Sequence, residues 1–450
     1  MNNLRTSFWI KFLLFALYVV GIYLSLKVAC GLATFDPDEV QSWVLWAGVQ
    51  EHGSLWLKTY EFTQDSFLLS WDAIYFLEYW LFGTSQVLSM IVLTAWSVFI
   101  LIGLMAGLIA FELRAKISAS LLPIFFLFAN SYTYQNGYAL YPSHNISVLY
   151  GLISIWLVIR YARADTQVRP YRIREGGYLF LIFLINLINI ISDPWFELTI
   201  FIPLGLTALS FIFLSAEHWD RRGQKRKMIG LVGTLFVCFL TKLILLHTCL
   251  SFLSPLDYEQ AKPGEMTHNF WLEINHLGAF FNFIPGLGVS LWPVHLLCLT
   301  LVLIVLAWVL WPYEQWVLNQ FYKKLFLFLG LKPQPKKIKN KLLKKELSLW
   351  FFMGWAFFSC LLILCFFGVA LGPTFYRVHV FSQTARYLIN IFYLVPILFF
   401  IFLEFSWVSI HKIFKCFLIL IFILYGIASI ASNWDSITRP GFVLQDTWDL

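Results

Sequence analysis

Stretches of about twenty residues with scarcely a charge recur along this chain, and that is the length a helix needs to cross a hydrocarbon core. The first runs from about Phe8 to Thr34, and others follow to the last quarter of the sequence. Only 13% of the residues are charged and 60% are apolar, whereas a soluble domain carries about 25% charge. The 20 tryptophans and 20 tyrosines gather near the ends of the apolar runs, as an interfacial belt does. The fold class is therefore all-α, a polytopic membrane protein. The first run is too long for a signal-peptide core and lacks a small-residue cleavage pattern, so it is expected to stay as a helix.

Basic residues stay on the cytoplasmic side of a membrane, and here they fall into a few connections. These are Arg114 and Lys116, Arg160 to Arg174, Arg221 to Lys227, Lys323 to Lys345, and Lys412 with Lys415. One threading puts all of them inside together with Arg5 and Lys11. It uses about eleven spans, near 8–34, 86–111, 117–131, 145–161, 178–192, 197–215, 228–250, 287–311, 349–371, 387–405 and 416–432. Of the 32 basic residues, Lys58, Lys262, Arg377, Arg386 and Arg439 then lie outside, and Lys27 and Lys242 lie within spans. The acidic residues fall mostly outside. The threading predicts a cytoplasmic N-terminus and a periplasmic C-terminus, in a membrane read as a bacterial inner membrane, with that of the endoplasmic reticulum as the alternative. The net charge of +7 thus serves orientation rather than nucleic-acid binding.

The same threading keeps 35–85 wholly external. Asp72 and Glu78 argue against a span over Phe67–Phe82, which reads as an amphipathic helix in the interface. Val40, Trp43, Val44 and Ala47 at helical spacing predict a second one. The rest is a single transmembrane domain over 1–450, with a basic cytoplasmic linker at 312–348 and a short external tail at 433–450. The external loop 250–286, with Asp257, Glu259, His268, Glu273 and His276, is expected to be solvated or to cover substrate. The seven cysteines form no CxxC pair, so neither disulfides nor zinc are indicated.

Phe35-Asp36-Pro37-Asp38-Glu39-Val40 sets acids directly after the first span, where carboxylates are costly to keep dry. Further on come Tyr79-Trp80-Leu81-Phe82-Gly83-Thr84-Ser85 and, late in the chain, Arg386-Tyr387-Leu388 through Val395-Pro396. In order and spacing these pieces resemble the GT-C class of polytopic glycosyltransferases, in particular the aminoarabinose transferases and protein O-mannosyltransferases. That resemblance implies an inverting transfer of a sugar from a polyprenyl-phosphate carrier to an acceptor hydroxyl on a lipid or glycan of the cell envelope, at the external face. It covers the first third and one late segment. The second external acid and the His-Pro-Pro element usual in the family are absent, with His144 and Gln64-Asp65-Ser66-Phe67 near their places.

Such a transfer needs a base, cations for the leaving phosphate and a dry chamber open to lipid. Asp38 is the first candidate for the base, with Glu39 positioning it and Asp36 as a rival. Adjacent carboxylates raise one another's proton affinity. The alternative is that these acids only cap the helix that follows. For the phosphate the candidates are Arg386, Arg377, His379 and Lys242. A guanidinium binds phosphate oxygens bidentately, although snorkelling at a helix end would also explain each cation. His144, Tyr138, Asn136 and Tyr387 are candidates to line the acceptor or sugar site. Asp193 is expected to cap the next helix. No metal ligands are spaced for a site and no cofactor is required; a divalent cation on the phosphate would be compatible. The competing reading is a transporter or flippase of lipid-linked glycans, which would set ionisable residues along a central path.

Overall fold

The computed structural model describes residues 2–32, 37–60, 68–134, 142–163, 169–214, 223–253, 262–280, 296, 299–300, 347–370, 388–407 and 412–438. Helices make up almost all of them, and no strand occurs among them. In order they are α1 (Asn2–Leu32), α2 (Pro37–His52), a 3-10 turn (Ser54–Lys58), a π-type turn (Leu68–Asp72) and α3 (Ala73–Phe82). Then come α4 (Val87–Glu112), α5 (Lys116–Leu127), α6 (Pro142–Arg163) and α7 (Arg169–Ser192). A π-type turn (Glu197–Phe201) leads into α8 (Ile202–Leu214), followed by α9 (Gln224–His247) and α10 (Pro263–Phe280). The last are α11 (Leu347–Ala370), α12 (Ile389–Ser406), α13 (Lys412–Ser432) and α14 (Trp434–Thr438).

Among the described residues, six helical stretches are long and apolar enough to cross a membrane: Trp9–Gly31, Val87–Glu112, Asn145–Arg163, Glu175–Ser192, Pro194–Phe213 and Gln224–His247. Four shorter apolar helices, Lys116–Leu127, Phe351–Phe366, Ile389–Phe405 and Leu418–Ser432, stand where four more spans are expected. The expected span 287–311 lies almost wholly outside the described residues. Large apolar side chains such as Trp9, Phe213 and Phe236 face outward from the long helices, as lipid-facing surfaces do.

Polar contacts sort the helix ends into two groups. At one end Arg160 donates to Glu112 at 2.7 Å, Arg163 approaches the same carboxylate at 3.4 Å, and Lys227 lies 3.6 Å from Glu175. There Glu404 also accepts from the backbone N–H of Ile117 and Ser118, at 3.2 and 2.8 Å. That satisfies donors which the first turn of α5 cannot bond internally. At the other end Asn433 Nδ2 donates to the Ala129 carbonyl at 2.9 Å, and Ser131 N to Ser432 Oγ at 3.1 Å. Asn130 Nδ2 donates there to the carbonyls of Ala279 and Phe280, at 3.1 and 3.2 Å. The first group holds Arg160, Arg163 and Lys227, which the charge pattern assigns to a common side.

The segment 35–85 contributes no helix long and apolar enough to span, among the described residues. Its second surface helix differs from expectation in where its acids point. Asp72 is 1% exposed, and Glu78 accepts a 2.6 Å hydrogen bond from Thr94 Oγ1 of α4. The outward face of α3 is instead Leu77, Trp80, Leu81 and Phe82. For Glu78 the bundle offers a hydroxyl partner, Thr94, that lipid cannot.

Small residues set the closest approaches. Arg114 sits at φ 66°, closing a tight link between α4 and α5, and Gly107 abuts α5 so closely that a Cβ there would stand 2.6 Å from the Ala119 carbonyl oxygen. Backbone cannot yield as a flexible side chain would, so Gly107→Val is expected to cost about 1–3 kcal/mol. A lowered melting temperature in detergent, set against Gly176→Val, where a Cβ meets nothing within 4 Å, checks this.

Candidate functional site

The end of the bundle away from the clustered basic residues holds a layer of buried polar side chains. From α6 come Asn145 and Ser147, from the α7 terminus Asn189, Ser192 and Asp193, from α10 Asn269, Glu273 and His276, and from α12 Asn390; all are 4% exposed or less. Tyr393 Oη donates to Asn145 Oδ1 at 3.1 Å, joining α12 to α6. Asp193 Oδ1 accepts from Trp195 N at 2.8 Å, the cap expected from the sequence, and its other oxygen accepts from Ser147 Oγ. One carboxylate thus turns the chain between two helices and ties both to α6.

The surface helices lie across this end. Leu69 N donates to Ser192 Oγ at 3.1 Å, and Ser42 of α2 meets Tyr79 of α3 at 3.2 Å between hydroxyls. Leu45, Leu68, Ile191 and Leu253 form a small apolar cluster beneath them. So α2, whose first turn contains Asp38 and Glu39, is packed against the turn at 68–72 and the ends of α7 and α9.

Of the residues singled out from sequence, Asp36, Asn136, Tyr138, Arg377, His379, Arg386 and Tyr387 lie outside the described residues, and so do the side chains of Asp38, Glu39 and His144. The backbone sets Asp38 and Glu39 in the first turn of α2, and His144 in the first turn of α6. Lys242 is described, and its ammonium forms an ion pair with Glu197, both side chains largely shielded. As a phosphate ligand it would have to exchange one anion for another.

Of the reading of 250–286 as a solvated or substrate-covering loop, the solvated loop does not hold for Glu273 and His276. They belong to an 18-residue helix, α10, and together with Asn269 and Phe280 they are buried. Their spacing of four, three and four residues puts them on one helix face. That periodicity was available in the sequence, but a polar stripe reads as solvent-facing unless a partner is known. Here the partners include Asn130, which holds the C-terminal carbonyls of α10.

Burial pushes the Glu273 carboxyl up from 4.5 to about 8 and the Asp72 carboxyl up from 3.8 to about 8. Glu273 Oε1 and Asp72 Oδ2 have no hydrogen-bond partner among the described residues. Burial thus favours the neutral form of both. Among the described residues no three His, Cys, Asp or Glu side chains come together as a metal site. Set against models of known protein families and against curated proteins, the chain matches none.

A carboxyl whose affinity for protons rises on folding holds a proton that the unfolded chain has released. For Glu273 the contribution is complete below about pH 4.5 and is lost as pH rises to about 8. Glu273→Gln is expected to flatten the fall of stability across that window, by about 1.4 kcal/mol per pH unit at most. Thermal unfolding of the detergent-solubilised protein at pH 5, 6, 7 and 8 measures it, and an unchanged slope would mean that Glu273 is ionised.

Proposed function

We propose that this protein is a membrane glycosyltransferase that moves a sugar from a polyprenyl-phosphate carrier to a hydroxyl of a lipid or glycan acceptor. The reaction is read as taking place on the external face of a bacterial inner membrane crossed about eleven times. The observation that carries the reading is the seating of α2. The helix that begins with the acidic pair is packed over the same bundle end that holds the buried polar layer.

The acceptor oxygen attacks the anomeric carbon, the bond from that carbon to the phosphate oxygen breaks, and its electron pair stays on the phosphate. The acceptor proton passes to Asp38, with Glu39 and Asp36 beside it. Placement in a first helical turn favours the ionised form of such acids, which a base requires. Arg386 and Arg377, with His379, are assigned to the departing phosphate, and His144, Tyr138, Asn136 and Tyr387 to the sugar and acceptor. Lys242 enters this scheme only if Glu197 releases it.

Asp38→Asn keeps the shape of the side chain and removes the base, so sugar transfer in proteoliposomes is expected to fall about 10²–10⁴-fold. Transfer at the wild-type rate would discard Asp38 as the base.

The Lys242–Glu197 pair, together with the buried Asn186–Ser154 hydrogen bond of 2.8 Å within the spans, favours the second reading, a transporter or flippase of lipid-linked glycans. Movement of the lipid across vesicle membranes with no covalent product would select it.

A further inference from the structure

The surface helices meet the bundle through one short stretch, the turn Leu68–Asp72. Leu68, Ser70, Trp71 and Asp72 are all buried in it. Its hold on α7 is the bond from Leu69 N to Ser192 Oγ, and Leu68 packs on Ile191 beside Leu45 of α2. Asp72 closes the turn with its carboxyl enclosed and Oδ2 unbonded among the described residues. Asn189 lies one helical turn before Ser192, on the same face of α7, and its Oδ1 is likewise unbonded among the described residues.

Among the described residues no cation acts on the Asp72 carboxyl. The titratable groups that meet its charge are two phenols, Tyr79 of α3 and Tyr60 beyond the 3-10 turn. α3 also carries Glu78, engaged with Thr94. Next after α7 comes Asp193, engaged with Ser147 of α6. α2 carries Asp38 and Glu39 in its first turn, and α6 carries His144 in its own. Burial is the one influence on the Asp72 carboxyl among the described residues. A bare buried carboxylate is costly, so ionisation and a seated turn oppose each other.

We infer that Asp72 is a proton-operated latch: protonated, it lets the turn 68–72 seat against α6 and α7 and holds α2 over the bundle end, and ionised, it releases them. The latch itself stands on the packing. Its consequence, that release carries away the helix beginning with Asp38 and Glu39, rests on the function proposed above. In an external compartment a rise in pH then opens the site, and acid closes it.

Linkage fixes the size of the effect. Between the ordinary pKa near 3.8 and the seated value of about 8, each pH unit weakens seating tenfold; beyond that it is constant. Hydrogen exchange of the full-length protein in lipid nanodiscs reads this directly, followed peptide by peptide from pH 5 to 9. Amides of 68–82 that exchange through release should speed up about 100-fold per unit below pH 8, tenfold from base catalysis and tenfold from opening. Above pH 8 the slope should return to tenfold. Asp72→Asn should show the tenfold slope throughout, and Asp72→Ser supplies the comparison should the first variant not fold. A tenfold slope in the wild type across the whole range overturns the latch, whichever variants fold. Asp38→Asn transfer assays bear on the function alone, so the two ideas fail separately.

Discussion

A polar atom taken into hydrocarbon must find its partner inside the chain, and that requirement organises this protein. Where helices end, four N–H or four C=O groups lose their internal partners, so polar side chains gather at those levels. Glu404 serves the start of α5, Asp193 the start of the helix entering α8, and Asn130 the last carbonyls of α10. Each reaches across to a different helix, so capping and tertiary packing are one event. The bundle is fixed at its two ends by these bonds and in its middle by contacts such as Phe99, Ile102 and Ala106.

The two ends differ in kind. At one, charges are paired: Glu112 with Arg160 and Arg163, and Glu175 with Lys227. At the other, Asp72, Asp193 and Glu273 are buried in a layer that also holds amides, hydroxyls and a histidine. Paired ions make a static clamp, whereas burial without a partner favours the neutral form of an acid. The proposed chemistry is assigned to the second end for that reason, beneath the surface helices that cover it.

Much of this was legible in the sequence because hydropathy and basic residues are additive signals. A run such as Val87–Glu112 announces itself, and Arg160, Arg163 and Lys227 do lie at a common end. The inward turn of Asp72 and Glu78 was not legible, since an acid in an apolar helix looks like one that faces headgroups. Only Thr94 and the end of α7, distant in the chain, decide otherwise. The stripe Asn269, Glu273, His276 was missed for the same reason, because periodicity gives a face and not what covers it. Lys242 stood out as a buried cation, but its partner Glu197, 45 residues earlier, carried no signal at that separation.

The acids at the covered end fall into two classes with opposite physical settings. Asp38 and Glu39 begin a helix, where the dipole and unpaired N–H groups favour negative charge. Asp72 and Glu273 are enclosed, and burial raises the proton affinity of both carboxyls. Environments that push neighbouring carboxyls apart in this way divide the labour of proton transfer, one kind accepting and the other donating. Because α2 rests on the turn that ends in Asp72, the two classes are mechanically joined. In the proposed latch the acids that begin the helix and the proton beneath it thus act on a common surface.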